Sequence, residues 1–247
     1  MTFDAHPRSS LIVALDFDSL TTALKFAEPL ADLVGMFKIG SQLFTSSGPE
    51  AVRQVAKLGP GVFLDLKFHD IPNTVAGAVL ASAAMPGVQL VNVHALGGTV
   101  MMQAAAQAVS AGVPMGADRT RLLAVTVLTS MDHKAMRDVG IGGAPKLRAV
   151  KLAKLSQEAG VDGVVASVQE AKAIRKACGQ EFLIVTPGVR PKDKTVGTSN
   201  DDQARTATPR EAIKAGADFI VVGRPIFASD DPRAAAQDVV DEIAAAK

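Results

Sequence analysis

The sequence contains no tryptophan and no tyrosine; its aromatic hydrophobic residues are ten phenylalanines. Proteins that grip single-stranded nucleic acid stack bases on aromatic side chains, so this composition weighs against such a platform. Cys178 is the sole cysteine, which rules out an internal disulfide and a cysteine-based zinc site and suits a reducing cytosol. An excess of one charge is also missing: 26 Lys and Arg face 25 Asp and Glu, for a formal net charge of +1. That balance gives no reason to expect nucleic acid or an acidic membrane surface as a partner. No apolar run approaches the roughly 18 residues of a membrane span. The opening MTFDAHPRSS lacks the apolar stretch of a secretory signal. No HExxH-like cluster of metal ligands occurs. The expectation is a cytoplasmic protein with neither a nucleic-acid nor a membrane partner.

What is present is a regular alternation. The chain has 247 residues, 48% of them hydrophobic, a length at which α/β barrels commonly form one domain. Short β-branched runs read as strands at Leu11–Phe17, Met36–Gly40, Val62–Phe68, Leu90–Ala95, Leu122–Thr129, Gly163–Ser167, Phe182–Pro187 and Phe219–Gly223. Helical patterns lie between them, among them Leu20–Val34, Glu50–Leu58, Thr74–Ala84, Lys146–Glu158 and Arg233–Ala246. Eight strand–helix units predict a single-domain (β/α)8 TIM barrel over residues 1–247, with residues 1–10 as a short tail. An open doubly wound sheet is the alternative, because periodicity does not reveal closure. Two stretches break the rhythm, Ser130–Pro145 and Arg190–Pro209. Loops this long in a compact domain are usually functional or disordered.

The stretch FLDLKFHDIPNT, residues 63–74, carries the most chemistry. Asp65 and Lys67 are two apart on a strand and share a face, and Asp70 follows past the strand end. Two carboxylates around one ammonium should keep Lys67 protonated. Strand parity also turns Asp16 and Lys38 inward, near the C-terminal mouth where barrels place their sites. A buried ion-pair network that only sets strand register is the bland reading, but such networks stabilise weakly. Three shorter segments add candidates. Gly223 and Arg224, in FIVVGRPIF, stand where barrels bind phosphate, although an ordinary turn with a surface arginine would look the same. Arg190, in VTPGVRP, could add to that grip or be a solvated loop residue. Thr129 and Ser130 end the fifth strand and could read a heterocycle edge, or simply terminate the strand. His94 reads as a hydrogen-bonded barrel histidine, and the parity of His69 turns it away from Lys67.

Together these segments resemble the orotidine 5′-phosphate decarboxylase family in its bacterial form. The resemblance rests on VALDF, FLDLKFHDIPNT, LVNVHALGG, AVTVLTSM, DGVV, VTPGVRP and VVGRP in family order. It implies a (β/α)8 barrel and conversion of orotidine 5′-phosphate to UMP and CO2, the last step of de novo UMP synthesis. It implies no metal and no organic cofactor, and a homodimer with sites at the interface. Carried over by position, Lys67 would protonate C6 of the pyrimidine and Asp65 would sit beside the substrate carboxylate. Asp70 and Thr74 would reach the partner's site. Lys38 would bridge the ribose and the charge array, Asp16 would bind a ribose hydroxyl, and Thr129 would contact the pyrimidine. Arg190, Gln203, Gly223 and Arg224 would hold the phosphate side. Mg²⁺-dependent sugar-phosphate decarboxylases and aldolases of the same superfamily are the alternative. They carry an acidic metal ligand at the second-strand position that Lys38 occupies here.

Overall fold

The computed structural model describes residues 6–111, 119–191 and 207–247. Eight parallel strands close into a barrel in chain order: β1 (Leu11–Ala14), β2 (Met36–Gly40), β3 (Gly61–Phe68), β4 (Val88–His94), β5 (Arg121–Val125), β6 (Gly163–Val165), β7 (Leu183–Thr186) and β8 (Phe219–Val222). Closure comes from β1 pairing with β8, with Leu11 opposite Ile220. The open sheet is therefore excluded. Helices α1 (Leu20–Ala27), α2 (Ser41–Ala56), α3 (Pro72–Ala83), α4 (Gly98–Ala111), α5 (His133–Asp138), α6 (Pro145–Glu158), α7 (Val168–Cys178), α8 (Pro209–Lys214), α9 (Arg224–Phe227) and α10 (Pro232–Ala244) surround it. Among the described residues no helix is long and apolar enough to cross a membrane.

The alternation of side chains sorts the core into two layers. Ile12, Ala14, Met36, Phe63, Leu90, Leu123, Val185, Phe219 and Val221 fill the barrel interior. Their neighbours in sequence, such as Val13, Leu15, Phe37 and Leu64, pack outward against the helices. Parity thus assigns β1 and β2 correctly, and it sets the inward direction for the residues at the mouth.

The element ends differ from expectation where local chemistry intervenes. β1 stops at Ala14, so Asp16 and Phe17 leave the ladder. Pro29, lacking an N–H, breaks the first helix into α1 and a 3₁₀ turn, Glu28–Leu30. α2 begins nine residues earlier than the Glu50 start expected, with a break at Gly48, whose φ is 58°. The irregular stretch Ser130–Pro145 contains α5, capped by Asp132, which accepts the Ala135 N–H at 2.8 Å. The first ten residues are not tail throughout. Pro7–Ser10 form a 3₁₀ turn packed against α10, with Ser10 buried.

Candidate active site

Three adjacent strands deliver a row of charges to the barrel mouth. In the ladders Ala14 stands opposite Lys38, and Gly40 opposite Asp65. Lys38 Nζ donates to Asp16 Oδ1 at 2.8 Å and stands 3.5 Å from Asp65 Oδ2. Lys67 Nζ donates to Asp65 Oδ1 at 2.7 Å. The charges therefore alternate in the order Asp16, Lys38, Asp65, Lys67. Glycine at position 40 gives the row room, since a Cβ there would stand 3.1 Å from Lys38 Nζ and 3.2 Å from Asp16 Oδ1.

Burial and pairing compete within this row. The side chains of Lys38 and Asp65 are 11% and 10% exposed. Burial alone would lower the Lys38 pKa. The carboxylates of Asp65 and Asp16 outweigh it and leave that pKa above its ordinary value. Burial likewise pushes the Asp65 carboxyl up. Lys38 and Lys67, with the hydrogen bonds from Lys67 and Asn92, outweigh that and hold it below the usual carboxylate range. Both groups are ionised at neutral pH.

The row forms one wall of a cavity of about 500 Å³, a size that suits a small organic ligand. Thr129, Arg190, Gly223 and Arg224 also line it, with Val127, Leu128 and Phe227 supplying apolar surface. Gly188, with φ of 78°, makes the left-handed turn that leads the chain from β7 to Arg190. Arg190 and Arg224 are close enough to feel each other. Burial, and then the Arg224 charge, lowers the Arg190 pKa. Two neighbouring guanidinium groups in the lining of one cavity suit a phosphate or carboxylate. Among the described residues, no three His, Cys, Asp or Glu side chains group as a metal ion would need.

The cavity thus combines an ammonium beside a carboxylate with a pair of guanidinium groups that can grip an anion. The family model described as "Orotidine 5'-phosphate decarboxylase / HUMPS family" matches residues 9–239. The chain belongs to this family. A protein of Trichlorobacter lovleyi named orotidine 5′-phosphate decarboxylase is 54% identical over 245 residues, 99% of each chain. One of the same name from Pelobacter propionicus is 53% identical over 238 residues, 96% of each. The crystal structure of orotidine 5′-phosphate decarboxylase from Lactobacillus acidophilus superposes with a TM-score of 0.80 at 37% identity, covering 94% of this chain and 98% of that one.

The fold splits the family motif FLDLKFHDIPNT. Asp65 and Lys67 enter the cavity, whereas Asp70 and Thr74 are exposed and do not line it. Asp70 Oδ1 instead accepts the Ile71 N–H at 2.6 Å. Within the chain, then, the ammonium bracketed by two carboxylates is Lys38, not Lys67. Ser130 lies outside the cavity lining, and Gln203 lies outside the described residues. His69 is exposed, as its parity implied, and stacks on His94 with ring centroids 5.5 Å apart. The expectation of a hydrogen-bonded His94 is corrected: its buried Nδ1 has no partner among the described residues. Burial, and then the neighbouring His69, lowers its pKa.

Two residues were missed. Gln42, at the start of α2, lines the cavity. Asn92 on β4 is fully buried and donates to Asp65 Oδ1 at 2.7 Å. The available signal was a lone amide in the apolar run LVNVH, two residues beyond the inward Leu90.

Proposed function

We propose that this chain decarboxylates orotidine 5′-phosphate to UMP and CO2, and so completes UMP synthesis. The observation that carries the reading is the row Asp16–Lys38–Asp65–Lys67 at the edge of a nucleotide-sized cavity. Arg190, Gly223 and Arg224 hold the phosphate side, with Gln203 as a further contact. Thr129, with Ser130 close by, meets the pyrimidine. Asp16 binds a ribose hydroxyl, and Lys38 links the ribose to the charged row. That orientation sets the substrate carboxylate beside Asp65 and C6 beside Lys67.

The bond from C6 to the carboxylate breaks, its electron pair stays on C6, and CO2 leaves. Lys67 Nζ gives a proton to C6, producing UMP, and is reprotonated by water. Asp65 raises the energy of the bound carboxylate by repulsion. Two like charges about 4 Å apart at an effective dielectric near 20 contribute roughly 4 kcal/mol, or about three decades of rate. Phosphate binding energy must therefore contribute by fixing the orientation. No metal or organic cofactor takes part in this scheme. A Mg²⁺-dependent sugar-phosphate reaction is disfavoured because the Lys38 ammonium would repel the ion.

The enzyme acts in the cytoplasm as a homodimer, with Asp70 and Thr74 reaching the partner's site. Their exposure outside the cavity of their own chain supports this, as do the exposed apolar residues Ile71, Leu96 and Val100 nearby. The experiment is decarboxylation of orotidine 5′-phosphate, followed by the fall in pyrimidine absorbance with and without EDTA. The missing Trp and Tyr keep the protein background low. Turnover to UMP that EDTA does not affect is expected. No turnover, or turnover only with added Mg²⁺, would overturn the reading.

A further inference from the structure

The ladder between β3 and β4 is broken beside the charged row. Leu64 pairs with Val91 and Phe68 with Val93, so Asp65, Leu66 and Lys67 stand opposite Asn92 alone. Within this bulge Lys67 has φ of 52°, and it is the non-glycine with a left-handed backbone among the described residues. A plain ladder would satisfy its N–H with a backbone carbonyl. Here the N–H donates to Asn92 Oδ1 at 2.8 Å, while Asn92 Nδ2 donates to Asp65 Oδ1 at 2.7 Å. The Asn92 side chain is fully buried, so water does not compete for either bond.

We propose that Asn92 is a positioning residue for the decarboxylation. Its one planar amide holds the left-handed backbone of Lys67 and orients the carboxylate to which the Lys67 ammonium donates. The two bonds need an acceptor and a donor on a short rigid group, which an asparagine supplies and an ionised aspartate or a leucine of similar shape does not. The inference rests on the functional reading above. Charged or titratable groups near Asn92 and Asp65 are Asp16 after β1, Lys38 on β2, Lys67 on β3 and His94 on β4.

The test compares Asn92→Leu and Asn92→Asp with the wild-type chain by kcat, KM, UMP affinity and melting temperature. A small misplacement of a reacting group costs about 100-fold in rate. Asn92→Leu is therefore expected to lower kcat by about 100-fold or more while UMP affinity stays within about threefold. Asn92→Asp places a second carboxylate against Asp65, which raises the pKa of one of the pair. Once that carboxyl is protonated, a donor to Asp65 is restored and an acceptor for Lys67 remains. The kcat of Asn92→Asp, relative to wild type, should rise as pH falls toward 5. Measuring both proteins in a His94→Gln background removes the contribution of that imidazole, whose pKa a carboxylate at position 92 would raise. A merely structural role would shift melting temperature and leave this ratio flat. A kcat within threefold of wild type for Asn92→Leu would overturn the proposal, as would a flat ratio for Asn92→Asp. If Asn92→Leu does not fold, the Asn92→Asp ratio decides alone. Absence of turnover in the wild-type chain would overturn the functional reading and this assignment together. Normal wild-type turnover with indifferent variants would overturn the assignment alone.

Discussion

Replacing Lys67 with alanine removes an ammonium that faces the cavity and is expected to leave the fold intact. A unit charge at roughly 3 Å from a developing carbanion, with an effective dielectric near 20, is worth about 5.5 kcal/mol. That is about four decades of rate, and loss of the proton donor acts on the same step. A fall in kcat of at least about 10⁴-fold is therefore expected. Stability should change little, because Asp65 keeps Lys38 at 3.5 Å and Asn92 at 2.7 Å. The Lys67 side chain is 35% exposed, so its ion pair contributes only about 1 kcal/mol or less. Glycine at the same position provides an internal control. A φ of 52° strains any L-residue by roughly 1–2 kcal/mol, whereas glycine adopts it freely at some cost in unfolded-state entropy. Lys67→Gly should be as inactive as Lys67→Ala and roughly 0.5–1 kcal/mol more stable, read as the shift in urea midpoint. Single-turnover decarboxylation and UMP titration complete the assay. A kcat for Lys67→Ala within tenfold of wild type would refute the proton-donor role. A glycine variant less stable than the alanine variant would refute the strain argument.

Three further outcomes follow from the site geometry and the proposed homodimer. Asp65, depressed from 3.8, contributes stability above the unfolded carboxyl pKa that is lost as pH falls through its folded value. Lys38, raised from 10.5, contributes stability below its unfolded pKa that is lost as pH rises through its folded value. The difference in urea midpoint between wild type and Asp65→Asn should then be level from about pH 5 to 9 and shrink in acid; a steep slope inside that window would contradict the assignment. Arg224→Ala should lower kcat/KM by about 10- to 150-fold, the worth of one charge-assisted bond of roughly 1.5–3 kcal/mol, and an unchanged value would remove Arg224 from the phosphate site. Finally, Lys67→Ala and Asp70→Ala should each be inactive alone, yet mixing and reassociation should restore about a quarter of the sites through heterodimers carrying one intact site. No recovery on mixing would refute the cross-subunit role of Asp70.

Most of the architecture was legible because hydrophobic period and spacing report it directly. The inward set Ile12, Ala14 and Met36 followed from alternation. The strand ends were not legible to the residue. β5 was expected to run to Thr129 but stops at Val125, after which the Thr126 hydroxyl turns back onto the Val165 carbonyl at 3.0 Å. The site was legible in its charged members, since buried charges on an apolar strand need partners. His94 misled, because nothing in the local pattern shows whether a ring nitrogen will find a donor or acceptor.

The sequence by itself determined the eight strand–helix units, the inward face of each early strand and the identity of the charged row, since all depend on side-chain period and residue type, whereas closure of the barrel came from the pairing of β1 with β8. It also carried the family. Only the tertiary structure decided which charges pair. Lys38 rather than Lys67 lies between two carboxylates, because β1, β2 and β3 bring Asp16 and Asp65 to either side of it. The tertiary structure alone also revealed Asn92, whose role depends on a shift of register between β3 and β4. Pairing across strands is set by how distant segments align, and no local pattern encodes that alignment.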